Sequence, residues 1–315
     1  MKPIISESIN IDLWDHPANV VRPYISMTDR YVLYPSNKTS TALWDMDAGK
    51  HLGMLEGHTS MVQSSGINNA GSMAVTIAFD PEDEDDKHYS VKIWNLGTMQ
   101  CTANLTSTSM ACNLFKDRLL LVDESDIKVW GLGGSTPVAL MGLQGHKDGN
   151  ILSMTGSDIG NAALSGSLDN YVRLWDLRTG RCVRVMERHA EQIFSVSMDA
   201  TCQVAVGGSM HKTVSLWDMG SGRLIGRHTL DHSVYSVKMH ESGSSILVTS
   251  GYMFLHAFTT ATGKDQQPFM DVDLSSLCSP NTKKFPRMAA SGDFSRVGLC
   301  YLNAERNGLG VSVWK

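Results

Sequence analysis

The sequence has no apolar run that approaches the ~20 residues needed to cross a bilayer. Its first residues, MKPIISESINIDLWD, also lack the continuous apolar core of a secretory signal. We therefore expect no membrane-spanning segment, no membrane partner, and a cytoplasmic or nuclear location.

Cysteine is scarce and scattered in this chain of 315 residues. No two cysteines form a Cys-x-x-Cys pair, and none has a histidine at the spacing of a zinc site. This pattern predicts free or buried thiols in a reducing compartment and no metal site. The six cysteines are Cys101, Cys112, Cys182, Cys202, Cys278 and Cys300.

Signatures of catalysis are missing as well. There is no G-x-S-x-G, no G-x-x-x-x-G-K-[ST], no H-E-x-x-H, and no G-x-G-x-x-G after a strand. We therefore predict a protein that is not an enzyme and that needs no cofactor.

A basic excess is also absent, because the formal net charge is −5. Direct nucleic-acid binding would favour a basic surface, so we do not expect it. The negative charge has a local source in the run DPEDEDD. Its six carboxylates contribute more negative charge than the net −5 of the whole chain. These carboxylates belong to Asp80, Glu82, Asp83, Glu84, Asp85 and Asp86.

What the sequence does contain is a short pattern that recurs along its length. Its clearest copy is LSGSLDNYVRLWDLRTG, from Leu164 to Gly180, in which alternating residues predict a strand between two polar turns. An aromatic residue ends the same strand in every copy, at intervals of roughly 36 to 56 residues. Such an interval holds about four strands of five or six residues. The aromatic residues are Trp44, Trp94, Trp130, Trp175, Trp217, Phe258 and Trp314.

A histidine precedes several of these copies, in Gly57-His58, Gly145-His146, Arg188-His189 and Asp231-His232. Gly145-His146 followed by Trp175-Asp176 is a full Gly-His…Trp-Asp pattern, and the sequence resembles the WD40-repeat family over essentially its whole length. The resemblance implies an all-β fold: a seven-bladed WD40-type β-propeller with four-stranded antiparallel blades.

The two ends of the chain are expected to complete one blade together. Trp314 ends a third strand, so the last unit lacks its fourth strand. The strand-like run SINIDLW, residues 8–14, precedes the first unit, and we predict that it pairs beside Gly310–Trp314 and closes the last blade. Residues 1–315 would then form a single β-propeller domain.

The family resemblance also implies a structural tetrad, a set of four hydrogen-bonded side chains within one blade. The matching residues are His146, Ser165, Asp169 and Trp175. Asp169 would fix the tautomer of His146, which would donate to Ser165, and Ser165 would accept from the Trp175 indole. The fifth unit departs from the pattern because Gly207 and His211 replace the serine and the aspartate.

Turns on the histidine-bearing side of the blades supply the residues that we expect to contact a partner. Exposed Tyr, Met and Leu side chains are common anchors at interfaces. The candidates are Asp148, Asn150, Leu168, Gln192, Met210, Tyr235 and Tyr252. The run Asp80–Asp86 is either a solvated insertion or a loop that recognises a basic segment. A third cluster, Arg178, Arg181 and Arg184, is interpreted as a solvated patch on the opposite side.

These expectations favour a non-catalytic protein–protein interaction scaffold or adaptor, a monomeric propeller within a larger complex. It would bind other proteins or peptides through its loops. One specialisation is the substrate-recognition part of a ubiquitin-ligase-type complex. The alternative is a subunit of a chromatin or RNA-processing complex that binds a basic segment, and a propeller-fold enzyme is the minor alternative.

Overall fold

A computed structural model of the chain describes 28 strands and, in the described residues, no helix. The described residues are 5–10, 24–79, 88–147, 150–157, 159, 161–186, 192–251, 254–260, 270–273, 287–303 and 308–314, and the side chains of 5–10, 270–273, 301–312 and 314 are not described. The strands form four-stranded antiparallel sheets, which confirms the all-β, propeller-type prediction. They group into two compact units.

The first unit comprises residues 1–110, 135–137 and 275–315. It holds three sheets, with strand orders β2-β3-β4-β5, β6-β7-β8-β9 and β1-β28-β27-β26. Its strands are β1 Ile5–Asn10, β2 Ser26–Met27, β3 Tyr31–Pro35, β4 Thr41–Asp45, β5 Lys50–Leu55, β6 Val62–Ile67, β7 Met73–Phe79, β8 Tyr89–Asn95, β9 Gln100–Ser107, β26 Arg287–Ala290, β27 Val297–Asn303 and β28 Gly308–Trp314.

The second unit comprises residues 111–134 and 138–274. It holds four sheets of consecutive strands, β10 to β13, β14 to β17, β18 to β21 and β22 to β25. Its strands are β10 Cys112–Phe115, β11 Arg118–Asp123, β12 Asp126–Gly131, β13 Val138–Leu143, β14 Ile151–Gly156, β15 Ala162–Ser167, β16 Val172–Asp176, β17 Arg181–Val185, β18 Ile193–Met198, β19 Val204–Ser209, β20 Thr213–Asp218, β21 Leu224–Thr229, β22 Val234–Met239, β23 Ser245–Ser250, β24 Phe254–Thr259 and β25 Met270–Asp273.

Two parts of the predicted fold are corrected. The structure has six blades of four consecutive strands, and not the predicted seven blades. The remaining four-stranded sheet combines strands from both ends of the chain. In that composite sheet β1 pairs with β28, from Ile5 opposite Val313 to Asn10 opposite Gly308. The N-terminal run pairs with the last strand as predicted, but the pairing begins at Ile5 and not at residue 8, because the apolar alternation of this segment does not fix where pairing starts. Residues 11–14 of the predicted run lie outside the described residues. The single-domain assignment of residues 1–315 stays a prediction.

A β-bulge recurs at the tryptophan of five blades, between the third and the fourth strand. In the sheet of β14 to β17, for example, the register shifts between Leu174 and Trp175. In the blade that carries Phe258 in place of tryptophan, the described pairing of the third and fourth strands ends at Ala257 opposite Met270, one residue before the phenylalanine.

Serines of the first strands join neighbouring sheets of the second unit. The Ser153 hydroxyl accepts a hydrogen bond from the backbone N–H of Val196 at 3.0 Å, and the Ser195 hydroxyl accepts one from Val237 at 3.1 Å. Ser153 and Ser195 directly follow bulges in their strands. The bulge thus turns a strand hydroxyl towards the next blade, where it satisfies a backbone donor.

Glycine allows the same neighbouring sheets to pack closely. A Cβ atom at Gly166 would lie 2.6 Å from Cγ1 of Val196, and one at Gly208 would lie 2.5 Å from Cγ1 of Val234. A larger residue at either position would need the neighbouring sheet to move.

Arg296 connects the composite sheet to the first blade within the first unit. Its guanidinium donates to the backbone carbonyl of Asp29 and to Oδ1 of Asp47, the latter at 2.6 Å. The Gly292 N–H adds a hydrogen bond to the Asp29 carboxylate at 3.3 Å. The turn between β26 and β27 is therefore held against the turns of the first blade by a buried arginine.

Deletion of residues 1–10 would remove β1 and leave the outer edge of β28 unpaired. We expect less cooperative thermal unfolding and a Tm lower by about 5–10 °C, because the six paired positions of this sheet edge are lost. Differential scanning calorimetry of this variant and of a control that lacks only residues 1–4 measures the effect. Identical melting curves for the two deletions would show that β1 does not stabilise the composite sheet.

Candidate functional site

The structure brings the four side chains of the predicted tetrad together in the sheet of β14 to β17. Nδ1 of His146 lies 2.8 Å from the Asp169 carboxylate, and Nε2 lies 2.7 Å from the Ser165 hydroxyl. The Trp175 indole N–H donates to the same hydroxyl at 2.8 Å. The side chains of His146 and Asp169 are 0% and 7% exposed, so the cluster is buried.

The direction of one hydrogen bond differs from the sequence-based expectation. Burial lowers the pKa of His146, which favours the neutral imidazole with a single N–H. The Asp169 carboxylate can only accept, so that hydrogen lies on Nδ1, and Nε2 must accept from Ser165. With this tautomer the bond between His146 and Ser165 runs opposite to the direction expected from the sequence. The chain of donors runs from Trp175 through Ser165 and His146 to Asp169.

Asp169 is held in its ionised form within this cluster. Its burial opposes ionisation, but the hydrogen bond from His146 and the N–H groups of Tyr171 and Lys147 lower its pKa overall. Asp169 also begins the turn to β16, where its carboxylate accepts from the Tyr171 N–H at 3.0 Å. One carboxylate therefore fixes both the imidazole and the turn.

Gly145 has a physical reason to precede His146. Its φ of +153° lies in a region that favours glycine, and a Cβ atom there would lie 3.3 Å from the Trp175 ring. Gly57 repeats this arrangement against Trp94, with φ of +138°. The Gly-His pair thus lets the backbone pass over the indole while the histidine enters the sheet.

A second cluster, which the sequence analysis missed, lies in the sheet of β6 to β9. Nε2 of His58 and Nε1 of Trp94 each lie 2.8 Å from the Thr76 hydroxyl. Thr76 pairs with Lys92, two residues before the tryptophan, as Ser165 pairs with Arg173. A search for a hydroxyl residue at this paired position would have found it.

At the equivalent position, two other tryptophans have neither a serine nor a threonine. Leu121 and Tyr34 pair with the residues two positions before Trp130 and Trp44. The buried indole nitrogens of both tryptophans have no hydrogen-bond partner among the described residues. Gly207 occupies this position opposite Trp217, where a Cβ atom would lie 2.9 Å from the indole ring, so the predicted departure of this unit has a steric basis.

Five of the predicted partner-contacting residues are described, and they lie at equivalent ends of the strands in the second unit. The backbone N–H of Leu168 donates to the carbonyl of Asn150 at 3.0 Å, which places these two candidates side by side. Asn150 and Gln192 are exposed, Met210 is 37% exposed, and Leu168 and Tyr235 are half-buried. Tyr235 lies at a bulge in β22, where the register shifts between Val234 and Ser236. Asp148, Tyr252 and the acidic run Asp80–Asp86 lie outside the described residues.

Within the described part of the chain, no group of three His, Cys, Asp or Glu side chains is arranged to hold a metal ion. The same part of the chain has no helix with the length and hydropathy to span a membrane.

The WD domain, G-beta repeat (WD40) family model matches residues 137–176 and 180–218. These two segments contain Trp175 and Trp217, and the first contains the complete tetrad. These two segments of the chain are therefore WD40 repeats, and the hydrogen-bonded cluster of β14 to β17 lies in the first of them.

Several relatives share part of this repeat region. "Mitochondrial division protein 1" of Candida glabrata is 26% identical over 193 residues, which cover 50% of this chain and 26% of that protein. "CCR4-associated factor 4 homolog" of Candida glabrata is 28% identical over 42% of this chain and 24% of its own length. "Transducin-like enhancer protein 2" of Mus musculus is 35% identical over 34% of this chain and 14% of its length. The matches therefore span about a quarter or less of these relatives.

Among solved structures, a chain in "Crystal Structure of Mitotic Checkpoint Complex" aligns with a TM-score of 0.76. The alignment covers 100% of the WD40 chain and 91% of the other chain at 14% identity. At this identity the likeness concerns the fold alone.

Replacement of Ser165 by alanine would leave the Trp175 indole N–H and Nε2 of His146 without their shared partner. We expect the free energy of unfolding to fall by about 1–3 kcal/mol, because both groups stay buried. Urea denaturation measures the change. Ser165→Thr retains the hydroxyl, as Thr76 does in the other cluster, and should lose less; equal losses for the two variants would contradict the hydrogen-bond explanation.

The buried histidines make stability depend on pH. Burial, together with the charge of Lys92, lowers the pKa of His58 to about 4. Below its ordinary pKa near 6.5, the unfolded chain binds a proton that the folded chain does not, so stability falls as the pH is lowered. We expect His58 to contribute about 1–2 kcal/mol of this loss between pH 7 and pH 5.

Urea denaturation at several pH values between 5 and 7 tests this linkage. His58→Gln should flatten the pH dependence of the free energy of unfolding, because the substituted side chain cannot take up a proton on unfolding. A His58→Gln variant with the parental pH dependence would contradict the assignment.

Proposed function

We propose that the chain is a non-catalytic protein–protein interaction scaffold or adaptor. The proposal rests on one observation. The side chains that most resemble a catalytic cluster are buried, and they are already hydrogen-bonded within the blade. His146 hydrogen-bonds both Ser165 and Asp169, Ser165 also accepts from Trp175, and the side chains of His146 and Asp169 are only 0% and 7% exposed. A general base must reach its substrate, so this cluster does not support catalysis.

The turns around the cluster are better suited to recognition. Asn150 and Leu168 form one adjacent pair of a polar and an apolar side chain. Gln192 and Met210 occupy the corresponding positions in the next blade, since Ile193 pairs with Ser209 as Ile151 pairs with Ser167. A repeated pair of this kind on rigid strands offers apolar anchors beside hydrogen-bonding groups, as interfaces do.

The comparison with curated relatives supports the same proposal. In these relatives the segment similar to this chain is part of a much longer protein. A rigid module that positions partners fits that setting. The more specific roles, as part of a ubiquitin-ligase-type complex or of a chromatin or RNA-processing complex that reads a basic segment, stay predictions.

Affinity purification of the full chain, with quantitative mass spectrometry, tests the proposal. We expect Leu168→Asp combined with Met210→Asp to reduce specific co-purifying proteins by about tenfold, since a buried charge at an anchor costs well over 1 kcal/mol. Leu52→Asp combined with Met54→Asp is the matched control, because these side chains are also exposed and apolar but lie on β5. Equal recovery with both variants would contradict recognition through these turns.

The same purification separates the finer roles. If the acidic run reads a basic segment, neutralisation of its six carboxylates should release that partner at physiological salt. Ubiquitin-ligase subunits among the retained proteins would support the first role, and histones or RNA-processing factors the second. A partner set unchanged by neutralisation would remove the acidic run from the proposal.

A further inference from the structure

The outer strands of two adjacent blades carry an unusual mixture of side chains. β17 and β21 are each the last strand of their sheet. Val183, Val185 and Ile225 on these strands are 51%, 43% and 39% exposed. Four arginines on the same two strands or next to them are also exposed: Arg181, Arg184, Arg223 and Arg227. We call these seven residues the outer arginine surface.

The two strands lie close enough to form one surface. A Cβ atom at Gly222, in the turn before β21, would lie 2.6 Å from Cδ of Arg184 and 3.4 Å from the carbonyl oxygen of Val185. The charge of Arg184 also contributes to lowering the pKa of Asp218, after the hydrogen bonds from Ser221. The turn of one blade therefore packs against the outer strand of the other.

The positive charge of this surface is only partly balanced. Asp176 pairs with Arg178, and Asp218 accepts hydrogen bonds from the backbone and the hydroxyl of Ser221. In the part of the chain that the structure describes, Arg181 and Arg223 have no ion-pair partner. The surface thus offers cationic groups beside exposed valine and isoleucine.

From this combination we infer that the outer arginine surface binds an acidic segment of a partner protein that also carries apolar side chains. Carboxylates would pair with the arginines, and aliphatic side chains would cover Val183, Val185 and Ile225. This surface lies along the fourth strands of the two blades, whereas Leu168 and Met210 lie in the turns between the second and the third strands. The outer strand β5 offers an internal comparison, since Leu52 and Met54 are exposed there without a neighbouring arginine.

Arginines can also have a simpler role on an outer strand. Charged side chains at a sheet edge prevent association with other strands, and such a surface needs no partner. The two roles differ in their response to a ligand. A protective surface would not select a peptide that has both acidic and apolar residues over a peptide that has only the acidic ones.

The test measures fluorescence anisotropy of a labelled nonapeptide, Asp-Ile-Glu-Gly-Asp-Val-Glu-Ile-Asp, titrated with the full chain. We expect saturable binding that weakens about tenfold or more with R181E/R223E and with V183S/I225S. R181K/R223K should retain binding, which separates lost charge from lost folding. The control L52S/M54S should bind as the parent does.

Several results would overturn the inference. They are the absence of binding, equal binding by R181E/R223E and the parent, or equal affinity for a peptide with serine in place of its three apolar residues. Tighter binding of a single-stranded DNA oligonucleotide than of the peptide would also overturn it, because the surface would then select phosphates. Loss of partners in M210D with retained peptide binding would separate this surface from the proposed recognition turns.

Discussion

The indole N–H of a buried tryptophan is the group around which both hydrogen-bonded clusters are built. A buried donor without an acceptor costs about 1–3 kcal/mol. Thr76 and Ser165 supply the acceptor for Trp94 and Trp175, and each hydroxyl also binds a histidine. Where leucine or tyrosine takes the place of the hydroxyl residue, the described structure leaves the indole of Trp130 or Trp44 unsatisfied. The blades therefore differ in how well one recurring donor is paired.

This pairing also explains why titratable side chains are conspicuous in the sequence without being available for chemistry. His146 and Asp169 are required because the Ser165 hydroxyl, once it accepts from the indole, still has a proton to donate. Nε2 of the His146 imidazole accepts a hydrogen bond from the Ser165 hydroxyl, and the Asp169 carboxylate accepts one from the imidazole N–H. The network ends in a charge that the N–H of Tyr171 also stabilises. The network therefore makes the turn at Asp169 rigid, and recognition surfaces need such rigidity.

The sequence predicted these features unevenly, for physical reasons. Strand order and the tetrad followed from the tryptophan and Gly-His positions, because each such residue has a specific partner within its blade. Thr76 was missed because an acidic insertion separates it from Trp94 by 18 residues, whereas Ser165 and Trp175 are 10 apart. The bounds of β1 were missed because alternating apolar residues fix a face but not a starting point. The tautomer of His146 could not be predicted from the sequence, because it follows from the burial of the imidazole, which no sequence pattern shows.

Because the clamps fix the strands, chemistry at the two ends and along the outer edges of a blade can vary independently. In the sheet of β14 to β17, Ser165 and Trp175 hold the two middle strands, and the turn beyond Asp169 presents Leu168. The last strand of the same sheet takes no part in the tetrad and carries Arg181 and Val183 instead. A change on β17 need not disturb the tetrad, and a change at Leu168 need not alter the charge of β17. One blade can therefore present a nearly neutral surface at one end and a cationic surface along its edge, which suits partners of different chemistry.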